Sequence, residues 1–551
     1  MKKLLTLCIF ATFLIFSATS AQTLNFESLA PHPRLMLRSG DITAMRAARA
    51  ISPSARQAHE RIVAAAEQVV AREVVAHPLS ITTQEIFEDI FYLSYSYLTT
   101  DDMRYARRAE QEMLAVCKLP DWNPSSPNDV ATLTMALAIG YDWLYRALPV
   151  HSRSIIGTTI YEKGLLVSDE LTMSESIGNI GILFGALATA DRSPEYCQML
   201  VAKYVEANEK VLSAKNNLVT NIDQWSREAA LHAMYSATMK SALDIEPSSS
   251  VVESFAQGAE ALCYMVAPSN LYYNYGGSSA DANAIAAKYW VAQKSNNTSL
   301  VAVDERLAAQ GHFVEDFTLP LYMLFASGQE LSKLRMPHSK LYRGADEMVI
   351  YHSGWDADDT YLAIKGGNAE SAGEYVFESR GVRWTSLTGD VDGRLVIDGV
   401  SSDGQGEARI REVVEASRRH GVVVDLSALY SAQATSVVRS LELGKGDRLV
   451  VTDNISCGSQ PASIEWSITT AAEAEVVAAN TIKLTHMGKT LFLRARSRGQ
   501  SVAKVWPDEQ GTRRVGFVLT ANAGSEQTIE VTMSADNSKG FDFSRLLFWR
   551  R

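Results

Sequence analysis

Residues 221–237 read NIDQWSREAALHAMYSA. On a helix Glu228, His232 and Tyr235 fall at i, i+4 and i+7 and so share a face. An acid, an imidazole and a phenol on one face suit proton transfer. The same three side chains would equally make a hydrogen-bonded polar stripe between packed helices. Trp225 and Arg227 belong to the same stretch. Two further segments carry polar or aromatic groups. SESIGNIGILFGALATADRSPE, at 174–195, places Asn179 at the head of an apolar helix rich in small residues. NLYYNYGG, at 270–277, is aromatic and turn-like, with Tyr275 in its centre. It reads either as a sugar platform or as a packed corner.

Other chemistries lack their residues. There is no HxH, HExxH or paired CxxC spacing, and the ten histidines are dispersed, so no metal site is expected. No GxSxG precedes a helix. GKGD at 444–447 and GGSSAD at 276–281 lack the strand–loop–helix setting that phosphate binding needs, and both read as turns. No cofactor is expected.

The chain opens MKKLLTLCIFATFLIFSATSAQ. A basic start at Lys2 and Lys3, an apolar run and small residues before Ala21 predict a signal peptide over 1–21. The expected location is the periplasm or the outside of the cell. No later stretch is long and apolar enough to span a membrane. Cys8 lies in the leader, and Cys117, Cys197, Cys263 and Cys457 are scattered, which predicts buried thiols rather than a disulfide framework. The formal net charge of −11 argues against nucleic acid, because phosphate binding needs a basic face. An acidic ligand would need a locally basic cleft. Oligomeric state is not legible.

Two hydropathy grammars position these residues. From about 41 to 330, segments such as EIFEDIFYLSYSYL and DVATLTMALAIGYDWLYRAL space apolar residues three and four apart. A dozen or so helices without intervening strands predict stacked helical hairpins. Beyond about 335, runs such as RLVVTDNISC, TLFLRARS and TIEVTMSA are short and β-rich, with Gly, Asp, Asn or Ser between them. They predict an antiparallel sandwich. The expected domains are 22–335, helical, and 336–551, all-β, with KLRMPHSKLYRGADE as the junction. Such layers leave a groove suited to a polymer. Within the β half, GGNAESAGEYVFESRGVRW at 366–384 reads as a tight loop feeding a strand with Phe377 and Trp384. Glu370 and Glu374 flank that loop, and no histidine does.

Taken in order, these segments resemble the heparinase II/III-like polysaccharide lyases. PHPRLMLRSGDI at 31–42 is similar to the family's HPRL opening, and ALAIGYDWLYRAL at 136–148 to its GYDWLY helix. IGNIGILFGALA, YYNYGG, RGVRW and RLVIDG fall at the expected places. YHSGWDADDTYLAIKGG at 351–367 is the most specific match. The resemblance implies an (α/α) toroid followed by an antiparallel β-sandwich, and β-elimination on a uronate-containing, glycosaminoglycan-like polysaccharide. It implies an acidic polysaccharide as partner. The chain departs from the family where the Gly-Gly loop would run into an HxHLDAGSF-like segment. NAESAGEYVF stands there, Ser386 stands near a family aspartate, and Asp392 stands where a histidine is expected. A zinc ion would lose its ligands.

Two readings follow from that departure. In the first, a lyase with a rebuilt site uses His232 or Tyr235 as proton carriers, Glu228 as orienter, and Asn179 or Arg227 at the carboxylate, with Trp225 and Tyr275 binding sugar. In the second, an inactive relative binds glycan and has lost the chemistry.

Overall fold

The structure is a computed structural model that describes residues 24, 26–74, 82–173, 175–214, 221–275, 279–326, 336–344, 347–368, 371–387, 393–402, 406–416, 419–509 and 511–536. The expected signal peptide, Gly276, Gly277, Glu370 and Asp392 lie outside the described residues, as does the start of the expected junction.

Thirteen α-helices are described: α1 Ser39–Ile51, α2 Pro53–Ala71, α3 Thr83–Thr100, α4 Met103–Cys117, α5 Pro127–Trp143, α6 Val150–Thr159, α7 Ser176–Thr189, α8 Pro194–Ala214, α9 Ile222–Leu243, α10 Ser249–Met265, α11 Ala286–Lys294, α12 Ala302–Ala309 and α13 Thr318–Ala326. Local chemistry sets their ends. Thr82 and Glu85 form a capping box at α3. Proline opens α2 and α5. Asp101 and Asp244 end α3 and α9 in the left-handed conformation.

Helices α3, α5, α7, α9, α11 and α13 pack side by side into an inner ring, which α13 closes against α2 and α3. Inner helices are covered on all sides, so they need apolar residues all round rather than along one stripe. Every residue of α7 is buried, and α5 is buried from Val130 to Trp143. Small residues let these two helices cross closely. A Cβ at Gly181 would stand 2.3 Å from the Ala131 carbonyl oxygen, a backbone atom with nowhere to go.

The HPRL and GYDWLY segments meet. His32 Nδ1 donates to Asp142 Oδ1 at 2.5 Å, and the Arg34 and Leu35 amides donate to Asp142 Oδ2 at 2.8 Å each. Trp143 Nε1 donates to the Leu35 carbonyl at 2.9 Å, and the Tyr145 ring stacks on His32 at 3.9 Å. Arg34 Nη2 donates to Asp191 at 2.6 Å. Burial acts to lower the His32 pKa, but the Asp142 and Asp191 carboxylates outweigh it and the net shift is upward. The opening segment is therefore a plug that locks the ring.

The β half holds three antiparallel sheets of five, nine and four strands among the described residues. The long sheet runs through Ala434–Gly444, Arg448–Cys457 and Glu526–Ser534. GKGD closes the hairpin between the first two of these, with Asp447 and Gly446 at positive φ. The five-stranded sheet carries Tyr361–Lys365 and Tyr375–Ser379, and both Phe377 and Trp384 are fully buried. Inside the sandwich Arg439 grips Asp453 through Nε and Nη2 at 2.8 and 2.9 Å, with neither side chain exposed. Its Nη1 also donates to the carbonyls of Gly373 and Gly393. That guanidinium fixes both loops at the head of the sandwich. Strands predicted from RLVVTDNISC, TLFLRARS and TIEVTMSA form where expected.

Gly181→Val should overpack the α5–α7 crossing and lower stability by about 3 kcal/mol. His32→Ala should leave Asp142 short of a partner and lower it by about 2 kcal/mol. Denaturant unfolding of each variant checks both values.

Candidate functional site

Because the inner helices run the same way, their N-termini gather at one end of the ring. Polar side chains link neighbours there. Thr83 Oγ1 donates to Asp129 at 2.9 Å (α3 to α5), Asn128 Nδ2 to Glu175 at 2.9 Å (α5 to α7), and Ser176 Oγ to Glu228 at 2.7 Å (α7 to α9). Asp316 Oδ1 accepts from the Thr318 amide at 2.8 Å at the head of α13. Carboxylates at these ends meet the positive pole of each helix.

A hairpin from Ser269 to Asn283 joins this end to the sandwich. Its ladder includes Tyr272 N donating to the Ala280 carbonyl at 2.7 Å and Ala282 N to the Asn270 carbonyl at 3.1 Å. Glu378, wholly buried in the sandwich, accepts from Ser269 Oγ at 2.8 Å, Ser269 N at 3.0 Å and Arg383 Nε at 2.5 Å. Arg383 in turn donates to the Tyr272 carbonyl at 2.9 Å and the Leu271 carbonyl at 3.1 Å. The seam is continued by His352 Nε2 on the Tyr264 carbonyl at 2.9 Å and by Tyr273 OH on the Glu374 carbonyl at 2.8 Å.

Between the hairpin and the heads of α9, α11 and α13 lies a cleft of about 520 Å³. Asp223, Arg227, Tyr272, Asp281, Asp316 and Phe317 line it. Asp223 accepts from the Ser279 amide at 3.0 Å, which ties α9 to the hairpin's return strand. Arg227 is exposed, lies 6.0 Å from the Phe317 ring centre, and is the one Lys or Arg among the described lining residues. The Tyr272 phenol is buried, donates to the Asn283 carbonyl at 3.4 Å, and burial holds its pKa well above 10. Among the described residues, no three His, Cys, Asp or Glu side chains stand close enough together to hold a metal ion.

The sequence candidates separate around this cleft. Arg227 lies in it. Glu228 turns to α7 and Ser176. His232 is 3% exposed, stacked 5.0 Å from Phe255 with Trp290 edge-on at 5.6 Å, so its imidazole faces α10 and α11. Tyr235 is buried beside Asn208 of α8. Neither of these two proton-carrier candidates lines the cleft. Trp225 packs on Phe255 at 6.1 Å and against Gly258, as a core residue. Asn179 is 1% exposed, and among the described residues no hydrogen-bond partner reaches its side-chain amide. Tyr275 is buried with the Lys365 ammonium 4.9 Å from its ring, which makes it a packed corner rather than an open platform. The Gly-Gly loop folds under that corner, with Gly373 N on the Lys365 carbonyl at 2.9 Å. Sequence reasoning missed Asp223, Tyr272, Asp281 and Asp316 as cleft residues. Helix-start carboxylates at 223 and 316 were the available signal.

No family model matches the sequence, and no curated protein sequence matches it. Solved structures do match in fold. A heparan sulfate lyase from Pedobacter heparinus aligns at TM-score 0.60 and 13% identity over 87% of this chain and 83% of that one. Heparinase III aligns at 0.55 and 14% over 84% and 80%. The chondroitin AC lyase of Streptomyces coelicolor A3, solved in complex with chondroitin sulphate, aligns at 0.54 and 11% over 90% and 83%. The chain therefore has the polysaccharide-lyase fold, a helical toroid followed by an antiparallel β-sandwich.

Burial holds His232 at about 3, and burial also holds His352 and His59 at about 4, with Arg49 adding to the effect on His59. The unfolded chain, with histidines near 6.5, then binds more protons than the folded one between about pH 6.5 and 4. Stability from these groups is full above 6.5 and declines as pH falls through that window. His32, raised when folded, acts on the other side and loses its contribution as pH rises. Melting temperature should therefore drop from pH 6.5 to pH 4.5, and His232→Phe should flatten the drop, as calorimetry across that range would show.

Proposed function

We propose that the chain is a polysaccharide lyase that cleaves a uronate-containing polysaccharide by β-elimination in the 520 Å³ cleft. The observation that carries this reading is Arg227, an exposed guanidinium facing a cleft beside the toroid–sandwich seam. Its planar fork matches a carboxylate. Charge on the uronate carboxylate grows when the C5 proton leaves, so a cation fixed there stabilises the transition state more than the ground state. The Asp223 carboxylate, exposed on the cleft wall, takes the C5 proton, and water in the open cleft protonates the departing 4-oxygen. The C5–H electron pair becomes the C4–C5 double bond as the C4–O bond breaks, and the hydroxide left by that water takes the proton back from Asp223. These roles replace those first assigned to His232, Tyr235 and Glu228, which face neighbouring helices. The basic and apolar opening residues support export to the periplasm or beyond.

One observation favours a second reading, an inactive glycan binder. No histidine lines the cleft among the described residues. Ultraviolet absorbance of new unsaturated uronate separates the two readings, with hyaluronan, alginate, chondroitin sulfate, heparan sulfate and heparin as substrates. The lyase reading expects product from at least one of them. It also expects Arg227→Ala to lower kcat/KM about a hundredfold, ~2.7 kcal/mol of transition-state stabilisation. Binding without product from any of the five supports the binder.

A further inference from the structure

The charge around Arg227 constrains the ligand beyond that reading, on which the following rests. Helix N-termini ordinarily attract anions through their free amides and positive dipole. Here carboxylates of the chain stand at two of the helix starts that face the cleft. Asp223 sits in the first turn of α9, and Asp316 caps α13 through the Thr318 amide at 2.8 Å. Asp281 faces them from the hairpin side of the same cleft. Gln84, at the head of α3, accepts from Arg227 Nη2 at 3.4 Å and donates to Glu88 at 2.8 Å, which extends the acidic side. Burial, followed by the Asp316 and Glu85 charges, raises the Glu88 carboxyl against the opposing Gln84 hydrogen bond, as expected where the local potential is negative.

We infer that Asp223, Asp281 and Asp316 act as a charge filter: the cleft accepts an unsulfated uronate polymer, one carboxylate at Arg227, and rejects sulfated chains. A single guanidinium answers one carboxylate. A sulfate on the neighbouring sugar would meet the carboxylates that line the same cleft, two of them solvent-exposed, so the repulsion is one that salt screens. Repulsion of the wrong ligand is as effective a source of specificity as attraction of the right one. The overall charge of −11 acts in the same direction at long range.

The test uses the full chain and one polymer in two forms. These are an unsulfated glucuronate–N-acetylglucosamine chain and the same chain after chemical sulfation, at matched length and low salt. Calorimetric binding is measured for every protein, and product release for the wild type and the Asp281→Asn variant. The unsulfated form should bind about ten times tighter. The double variant Asp223→Asn/Asp281→Asn keeps the Ser279 hydrogen bond and should narrow that ratio to about threefold, with added salt narrowing it in the wild type. Asp281→Asn alone, which touches no helix cap, gives the same reading should the double variant unfold on melting analysis. Equal or tighter binding of the sulfated form overturns the inference and leaves the lyase reading standing. A wild-type preference that the Asn variants do not change removes these carboxylates as its source. Failure of both forms to bind overturns the inference, whereas the lyase reading falls only when none of the five polymers yields product.

Discussion

Glu378 is fully buried, and its two oxygens accept from both the backbone and the hydroxyl of Ser269 and from Arg383. A buried carboxylate is stable only when its charge is answered. Here the answer comes partly from the other half of the molecule. Arg383, held by Glu378, then reaches the carbonyls of Leu271 and Tyr272. The hairpin from Ser269 to Asn283 is thereby clamped to the sandwich while its return strand is tied to Asp223 on α9. One wall of the cleft is that hairpin. Without the ion pair, the hairpin that carries Tyr272 and Asp281 would lose its Glu378–Arg383 clamp to the sandwich.

The second constraint is the geometry of the ring. Covered inner helices must be apolar on all sides, which confines polar groups to their ends and to a few buried positions. Parallel direction then collects the N-terminal ends, with their unpaired amides, on one surface. Thr82 at α3, Asn221 at α9 and Asp316 at α13 answer some of those amides. Asp223, Asp281 and Asp316 give the cleft an acidic rim, and Arg227 stands out against it.

Much of the fold was legible because period and composition differ between the halves. Apolar spacing of three and four, small residues and few β-branched clusters mark the helices. Short runs between Gly, Asp and Asn mark the strands. The site was less legible, for a physical reason. Spacing places Glu228, His232 and Tyr235 on a shared face, but an inner helix is packed all round and periodicity cannot say which face meets solvent. His232 reads as chemistry by type, and its surroundings of Phe255 and Trp290 make it core. Asp281 lay in a segment read as a plain turn, and its proximity to Asp223 depends on a hairpin whose anchor, Arg383, is more than a hundred residues away in sequence. The HPRL and GYDWLY segments are family-like in sequence, and the contacts of His32 with Asp142 and Tyr145 give their pairing a structural cause.

The account stands on Arg227 as the place where a uronate carboxylate lands. A crystal structure with an unsulfated uronate tetrasaccharide, grown with an Asp223→Asn variant to slow turnover, tests that directly. The account predicts a sugar carboxylate within hydrogen-bonding distance of the Arg227 guanidinium, with the chain running along the hairpin. A tetrasaccharide bound elsewhere, such as the cavity near Arg38 and Lys240 at the other end of α9, with Arg227 still pointing to water, would contradict it.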